Sequence, residues 1–173
     1  MTMPRKSIGL IALLSAGFVS QLGGCTSSGQ FVGATSSPEQ TLTNFHDAAA
    51  KADEVRYFDL FAKGGSVFLG TDATERWELD AFRQFAHPYF SQGKGWTYTL
   101  VAGTRKISYV RGTNVAYFDE LLQNVKLGTC RGSGVLVIES GQWKVAQYNL
   151  SIPVPNDKAE SVVRQIQGNS QTR

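Results

Sequence analysis

The sequence predicts a single α+β domain in which helices come first and an antiparallel sheet follows. Apolar residues recur at helical spacing through much of 38–93, whereas extended segments rich in β-branched and aromatic residues follow from Trp96. Short glycine-containing turns join these later segments, so neighbouring strands must run antiparallel. A length of 173 residues with 42% hydrophobic residues suits one domain with its own core.

Three helices are predicted before the main sheet. The first starts at Ser37-Pro38, because serine can cap a helix and proline fits its first position. The second covers about 54–62, and the third runs from about Leu79 until Gly93 stops it. Between them, 67–69 is predicted to be a short strand and 72–77 a loop.

The sheet is predicted from five extended segments: 96–103, 105–111, 114–127, 130–139 and 142–151. The third is longer than an ordinary strand, which predicts strong curvature or a bulge. A strongly curved sheet with helices on one face encloses a cone-shaped pocket. A further helix is expected at about 157–167.

The N-terminus has the pattern of an exported bacterial lipoprotein. Arg5 and Lys6 precede an apolar run, and the first acidic residue is Glu39. The run ends in Leu22-Gly23-Gly24-Cys25, which resembles a lipobox, where cleavage precedes the cysteine and its sulfur receives a diacylglyceryl group. We therefore expect a membrane-anchored protein that faces the periplasm or the cell exterior, with the lipid bilayer as a partner through acylated Cys25. An ordinary signal peptide and a short uncleaved anchor are the alternatives.

These features divide the chain into four parts. Residues 1–24 form the signal peptide, 25–37 the lipidated cysteine and a flexible tether, 38–155 the folded domain and 156–173 a C-terminal extension. Of the 17 basic residues the signal peptide removes two and no acid, which leaves 15 basic against 14 acidic residues. That balance, without a basic cluster, argues against a nucleic-acid partner.

Several segments resemble the SnoaL-like branch of the nuclear transport factor 2-like (NTF2-like) superfamily over roughly 38–155. They are 68–77, 94–98, 116–120, 128–134 and 143–149. The resemblance implies a cone of three N-terminal helices packed on a strongly curved antiparallel sheet. It also implies a function among small-molecule isomerases, cyclases, dehydratases, binding proteins and assembly modules. Similar sequences often carry a histidine near the end of the last strand, where this chain has Gln147 and Asn149.

Two consecutive carboxylates, Asp119 and Glu120, are the candidates for a general base. Neighbours on a strand point to opposite faces, so at most one of them faces the pocket, and the sequence does not decide which. A carboxylate among aromatic side chains can have a raised pKa and accept a proton. The alternative is a salt bridge to Arg76, Arg131 or Lys144.

The remaining candidates are residues that could touch a ligand or a substrate. The expected ligand contacts are Arg76, Trp77, Trp96, Glu120, Arg131, Gln147 and Asn149. For an enzyme, Tyr57 or Tyr98 would donate a hydrogen bond. The alternatives are that the aromatic residues belong to the core and that Asp72 or Thr74 caps the third helix.

No metal or cofactor is expected. His46 and His87 lack a partner at metal-ligand spacing, and nucleotide-binding motifs are absent. Cys130, the one thiol besides Cys25, is expected to lie in the core.

The sequence leaves three functions open. The leading one is a tethered binding module whose pocket takes a small, mostly apolar molecule, or whose sheet forms a homodimer. The second is a cofactor-independent isomerase, cyclase or dehydratase that uses Asp119 or Glu120 as base. The third is a structural protein of the cell envelope.

Overall fold

The computed structural model describes residues 34–170, so the predicted signal peptide, Cys25 and most of the tether lie outside the described residues. The elements are, in chain order, α1 (Pro38–Ala50), α2 (Glu54–Asp59), β1 (Val67–Leu69), β2 (Arg76–Glu78), α3 (Leu79–Phe90), β3 (Thr99–Leu100), β4 (Lys106–Tyr109), β5 (Val115–Asn124), β6 (Gly128–Glu139), β7 (Gln142–Ser151) and α4 (Ala159–Ser170). The predicted α+β order of helices and strands is confirmed.

The seven strands form one curved, open sheet in the order β2-β1-β7-β6-β5-β3, with β4 also paired to β5. All pairs of named strands are antiparallel except β1 with β7, which are parallel. The sheet is curved as expected, but the bulge offered as the alternative for 114–127 is not in β5, which pairs with β6 without a break; the register shifts instead between Val135 and Leu136 in the β6–β7 pair. A bulge at that point adds to the bend of the sheet.

Two segments differ from the prediction. The segment 96–103 contributes only β3, because its main chain also reaches to α1, where the Trp96 amide donates to Ala49. The segment predicted as a loop ends in β2, which pairs antiparallel with β1. Asp72 therefore does not cap α3; its carboxylate accepts from the amide and hydroxyl of Thr74, and α3 begins after Glu78 without a side-chain cap.

The first helix begins as predicted, with the Gln40 amide donating to the Ser37 hydroxyl at 3.1 Å. It packs its apolar side, including Leu42, Phe45 and Ala49, on the concave face of the sheet, where the core lies. The convex face is left to solvent, with Tyr117 54% exposed. Burial of the concave face supplies the main driving force for folding.

The long strands run between two ends of the domain. At the tether end lie the β4–β5 and β6–β7 turns, and the chain enters there: the Thr35 amide donates to the Gly141 carbonyl at 2.8 Å. The Trp143 amide donates to the Ser36 hydroxyl at 3.0 Å. Residues 35 and 36, which the sequence places in the flexible tether, are thus bound to the sheet. At the opposite end, the cavity end, lie the β5–β6 turn and the β1–β2 loop.

Within residues 34–170, the helices are too short or too polar to cross a membrane.

Candidate functional site

A cavity of about 210 Å³ opens at the cavity end between the β1–β2 loop and α3. Its wall is mostly apolar and aromatic. The lining residues are Phe68, Gly70, Thr71, Glu75, Phe82, Phe85, Trp96, Tyr98 and Leu150. An apolar wall with a few polar groups is the usual composition of a small-molecule site.

The cavity narrows inward to a deep end between α1, α2 and the sheet. Phe68, Trp96, Tyr98 and Leu150 line both parts, so the two are continuous. The deep end holds about 10 Å³, which is room for about one oxygen atom or one water. Its polar side chains are His46, Tyr57 and Tyr148.

Below the deep end, a buried ion network joins α1 to the sheet. Glu120 Oε1 lies 2.6 Å from His46 Nε2, and Glu120 Oε2 accepts from Arg105 Nε at 2.6 Å. The Glu120 side chain is 0% exposed and that of Arg105 10%. The guanidinium of Arg105 also donates to the Glu39 carbonyl and the Thr43 hydroxyl of α1. The network thereby fixes the position of α1 over β5.

Strand alternation explains why Glu120 is the inward carboxylate. On β5, Ala116, Phe118, Glu120 and Leu122 are buried, whereas Asp119 is exposed on the convex face. Opposite Glu120 on β6 stands Gly132, and a side chain there would collide with the Tyr148 hydroxyl at 2.4 Å. The glycine therefore leaves room for the tyrosine ring beside the network.

The electrostatics keep Glu120 ionised. Burial by itself raises the pKa of this carboxyl, but the hydrogen bond and charge of His46 and the Arg105 guanidinium outweigh burial and hold the pKa below its usual value. An ionised carboxylate only accepts hydrogen bonds, so His46 Nε2 carries the proton that it donates. In the neutral imidazole, Nδ1 is then the ring nitrogen able to accept a proton.

Two tyrosines, Tyr57 and Tyr148, line the deep end together with His46. The Tyr57 hydroxyl is buried and has no partner within hydrogen-bond geometry among the described residues, and the Trp96 ring lies edge-on to the Tyr57 ring at 5.9 Å between centroids. Burial raises the pKa of Tyr57, and it raises that of Tyr148 well above the usual value, with the charge of Glu120 acting in the same direction. Both hydroxyls therefore stay protonated and can donate to a ligand oxygen.

The structure places four of the predicted residues in or behind the cavity. Trp96 and Tyr98 line both of its parts, Tyr57 lines the deep end, and Glu120 is bonded to His46. Glu120 contacts His46 and does not itself line the cavity, so the structure does not place it where a direct base would meet a ligand. Its salt bridge is to Arg105, a partner not anticipated among Arg76, Arg131 and Lys144.

The other predicted contacts point elsewhere. Because Cys130 and Gly132 face the core, Arg131 between them is exposed on the convex face. Because Tyr148 and Leu150 face the core, Gln147 and Asn149 lie half-buried on that same convex face.

The candidates of the β1–β2 region also lie outside the cavity. Arg76 pairs with Glu78 in exposed β2. Trp77 stacks on Phe85, which itself lines the cavity, but Trp77 is not part of the lining.

The structure adds His46 and Arg105 to the candidate residues, because both contact Glu120. From the sequence, His46 was weighed only as a metal ligand. His46 nevertheless lies four positions after Leu42 and next to Phe45, on the apolar side of α1. A histidine on that side must meet a polar partner in the core, which was the usable signal. Arg105 follows a turn and gave no comparable signal.

Cys130 is a buried free thiol, as expected, and burial raises its pKa. The part of the chain that the structure describes contains no group of three or more His, Cys, Asp or Glu side chains that could hold a metal ion.

Solved structures share this fold at low sequence identity. An NTF2-like protein of unknown function from Pseudomonas putida has a TM-score of 0.54 at 12% identity, over 69% of this chain and 87% of its own. A proposed dehydratase of the NTF2-like family from Streptomyces avermitilis has a TM-score of 0.55 at 11% identity, over 66% of this chain and 92% of its own. A proposed scytalone dehydratase from Novosphingobium aromaticivorans has a TM-score of 0.52 at 13% identity, over 67% of this chain and 81% of its own.

At such identities the likeness shows the fold alone. No curated protein matches the sequence. The sequence does match the SnoaL-like domain over residues 39–155, the span that holds α1 to β7 and thus the whole cone with its cavity and ion network. The chain belongs to the SnoaL-like domain family and has the NTF2-like fold.

Proposed function

We propose that this protein is an exported lipoprotein, anchored through Cys25, whose cone binds a small, mostly apolar molecule. The observation that carries the binding function is the apolar cavity whose deep end is lined by Tyr57, a buried tyrosine with an unpaired hydroxyl. An unpaired buried hydroxyl costs about 1–3 kcal/mol, a cost that a ligand oxygen would remove.

The size and shape of the cavity indicate the ligand class. A cavity of about 210 Å³ suits a molecule of one or two rings, since about 150 Å³ is enough for benzene. Phe68 and Phe82 stack at 4.1 Å between ring centroids and present a flat wall. Such a wall favours a planar ring, and the deep end has room for a single oxygen substituent beside His46 and Tyr57.

Replacing Leu150 by phenylalanine tests this function. Leu150 lines both parts of the cavity, so the larger phenylalanine side chain is expected to fill the passage between them. We expect 2-naphthol, a two-ring phenol, to bind the full-length protein and change its tryptophan fluorescence. Leu150→Phe should weaken that binding at least tenfold.

The matched control is Leu121→Phe, which enlarges a half-buried residue of β5 that faces away from the cavity. It should bind 2-naphthol like the wild type. Equal affinity in wild type and Leu150→Phe, or no binding by the wild type, would contradict the proposed cavity function.

Acid–base catalysis on such a molecule is the second candidate, and the His46–Glu120 contact favours it. A histidine whose orientation and tautomer are held by a buried carboxylate is the usual arrangement of a general base. The base would be His46 Nδ1, and Tyr57 or Tyr148 would stabilise the oxygen that gains charge. Two of the similar structures are proposed dehydratases, which is consistent with this activity.

The homodimer expected from the sequence would use the convex face of the sheet.

A further inference from the structure

The point where the chain enters the domain is fixed at the tether end. Thr35 bonds to Gly141 in the β6–β7 turn through both its amide, at 2.8 Å, and its hydroxyl, at 3.2 Å. Ser36 accepts from the Trp143 amide at 3.0 Å. These bonds hold residues 35 and 36 against the end of the sheet. A lipid anchor that precedes them in the chain is therefore attached to the domain at that end.

The cavity opens at the other end. Gly70, Thr71 and Glu75 of the β1–β2 loop line its outer part and are absent from the lining of the deep end. Strand β6, of 12 residues, runs from the cavity end to the tether end. At about 3.3 Å per residue such a strand is about 35 Å long, so the mouth and the entry point are on the order of 30 Å apart.

The chain between Cys25 and Thr35 is short compared with that distance. Its residues are mostly small or polar. A flexible linker of about ten residues has a root-mean-square end-to-end distance of about 17 Å and a fully extended length of about 35 Å. Turning the mouth towards the bilayer would require nearly full extension around the domain, at a large cost in chain entropy.

We propose that the tether end of the domain faces the bilayer and that the cavity mouth opens into the aqueous phase. The proposal rests on the lipid anchor at Cys25 that is part of the proposed function. Its consequence is that the ligand enters from water and is not extracted directly from the membrane. The surface next to the lipid headgroups is then the one formed by the β4–β5 and β6–β7 turns.

Two matched cysteine variants test the orientation in the acylated full-length protein. Arg111→Cys lies in the β4–β5 turn at the tether end, and Lys126→Cys lies in the β5–β6 turn at the cavity end; both replace an exposed basic residue. Cys130 is buried and Cys25 would be acylated, so a thiol-reactive fluorophore marks the introduced site. The labelled proteins are reconstituted in vesicles whose phospholipid headgroups carry a nitroxide quencher.

We expect the label at position 111 to be quenched severalfold more than the label at position 126. Equal quenching, or stronger quenching at 126, overturns the orientation. The intact mass of the protein shows whether Cys25 is acylated. An unacylated chain overturns both the anchor and the orientation. The binding of 2-naphthol does not depend on acylation and is measured separately.

A longer tether tests the physical cause. Inserting about twenty glycine and serine residues after Ser28 raises the root-mean-square reach to about 30 Å, so both ends of the domain can approach the bilayer. The quenching difference between positions 111 and 126 should then become small. If the full difference persisted, tether length would not set the orientation and the argument would fail.

Discussion

Replacing Glu120 by glutamine is expected to lower the free energy of unfolding by about 3 kcal/mol at pH 7. The substitution leaves Arg105 buried beside a neutral amide, and an uncompensated buried charge typically costs about 3–5 kcal/mol. The neighbouring Asp119→Asn is the matched control. Asp119 is exposed on the convex face, so its change should stay within about 0.5 kcal/mol. Urea denaturation of the three proteins measures both effects.

The same variant has a predicted pH dependence. The pKa of Glu120 is lower in the folded protein than its usual value of 4.5. The stabilisation is therefore fully present above that usual value, and it is lost as the pH falls through the lower pKa of the folded state. The stability gap between wild type and Glu120→Gln should shrink between pH 7 and pH 3. A gap that stayed constant or widened in acid would contradict an ionised Glu120 in the network.

Replacing His46 by glutamine should remove any proton transfer that the cavity performs. The suitable probe is 2-tetralone, a two-ring ketone with acidic hydrogens at C1. In the proposed reaction, His46 Nδ1 takes a C1 proton, the C–H electron pair forms an enolate, and Tyr57 donates a hydrogen bond to the enolate oxygen. The proton exchanges with D₂O and deuterium returns to C1. The reaction thus needs no co-reactant besides water.

Proton NMR of 2-tetralone in D₂O measures the exchange. We expect the wild-type protein to accelerate it and His46→Gln to reduce the acceleration at least 100-fold, the usual contribution of a general base. His87→Gln is the matched control, because His87 is exposed on α3 and pairs with Glu54. Acceleration that survived in His46→Gln would show that His46 is not the base. No acceleration by the wild type would leave binding as the function and contradict catalysis on this class of ketone.

The fold was predictable from local patterns because these elements carry their own signals. Ser37-Pro38 marks the start of α1, and the glycine turns separate β5, β6 and β7. The two segments that were predicted incorrectly depend on contacts with residues distant in the sequence. Strand β2 is short and mostly exposed, and it exists because it pairs with β1. The segment after Trp96 is held to α1 and so cannot continue as a long strand.

The candidate site was only partly predictable, since a strand pattern does not reveal which of its faces lies inward. The two faces of β5 have similar apolar content in the sequence, and only the packing against α1 decides that Glu120 is buried and Asp119 is exposed. The same ambiguity led to Arg131, Gln147 and Asn149 being assigned to the wrong face. His46 lies on the predicted first helix, but its partner Glu120 is 74 positions away in the sequence.

The central claim is that a ligand oxygen reaches the Tyr57 hydroxyl at the deep end of an apolar cavity. Its most direct test compares the dissociation constants of 2-naphthol and naphthalene for wild type and Tyr57→Phe, measured by tryptophan fluorescence. The variant should bind 2-naphthol about tenfold more weakly, because it loses one hydrogen bond worth about 1.4 kcal/mol. It should bind naphthalene with unchanged affinity. Unchanged or tighter binding of 2-naphthol by Tyr57→Phe, or an equal loss for both compounds, would contradict the claim.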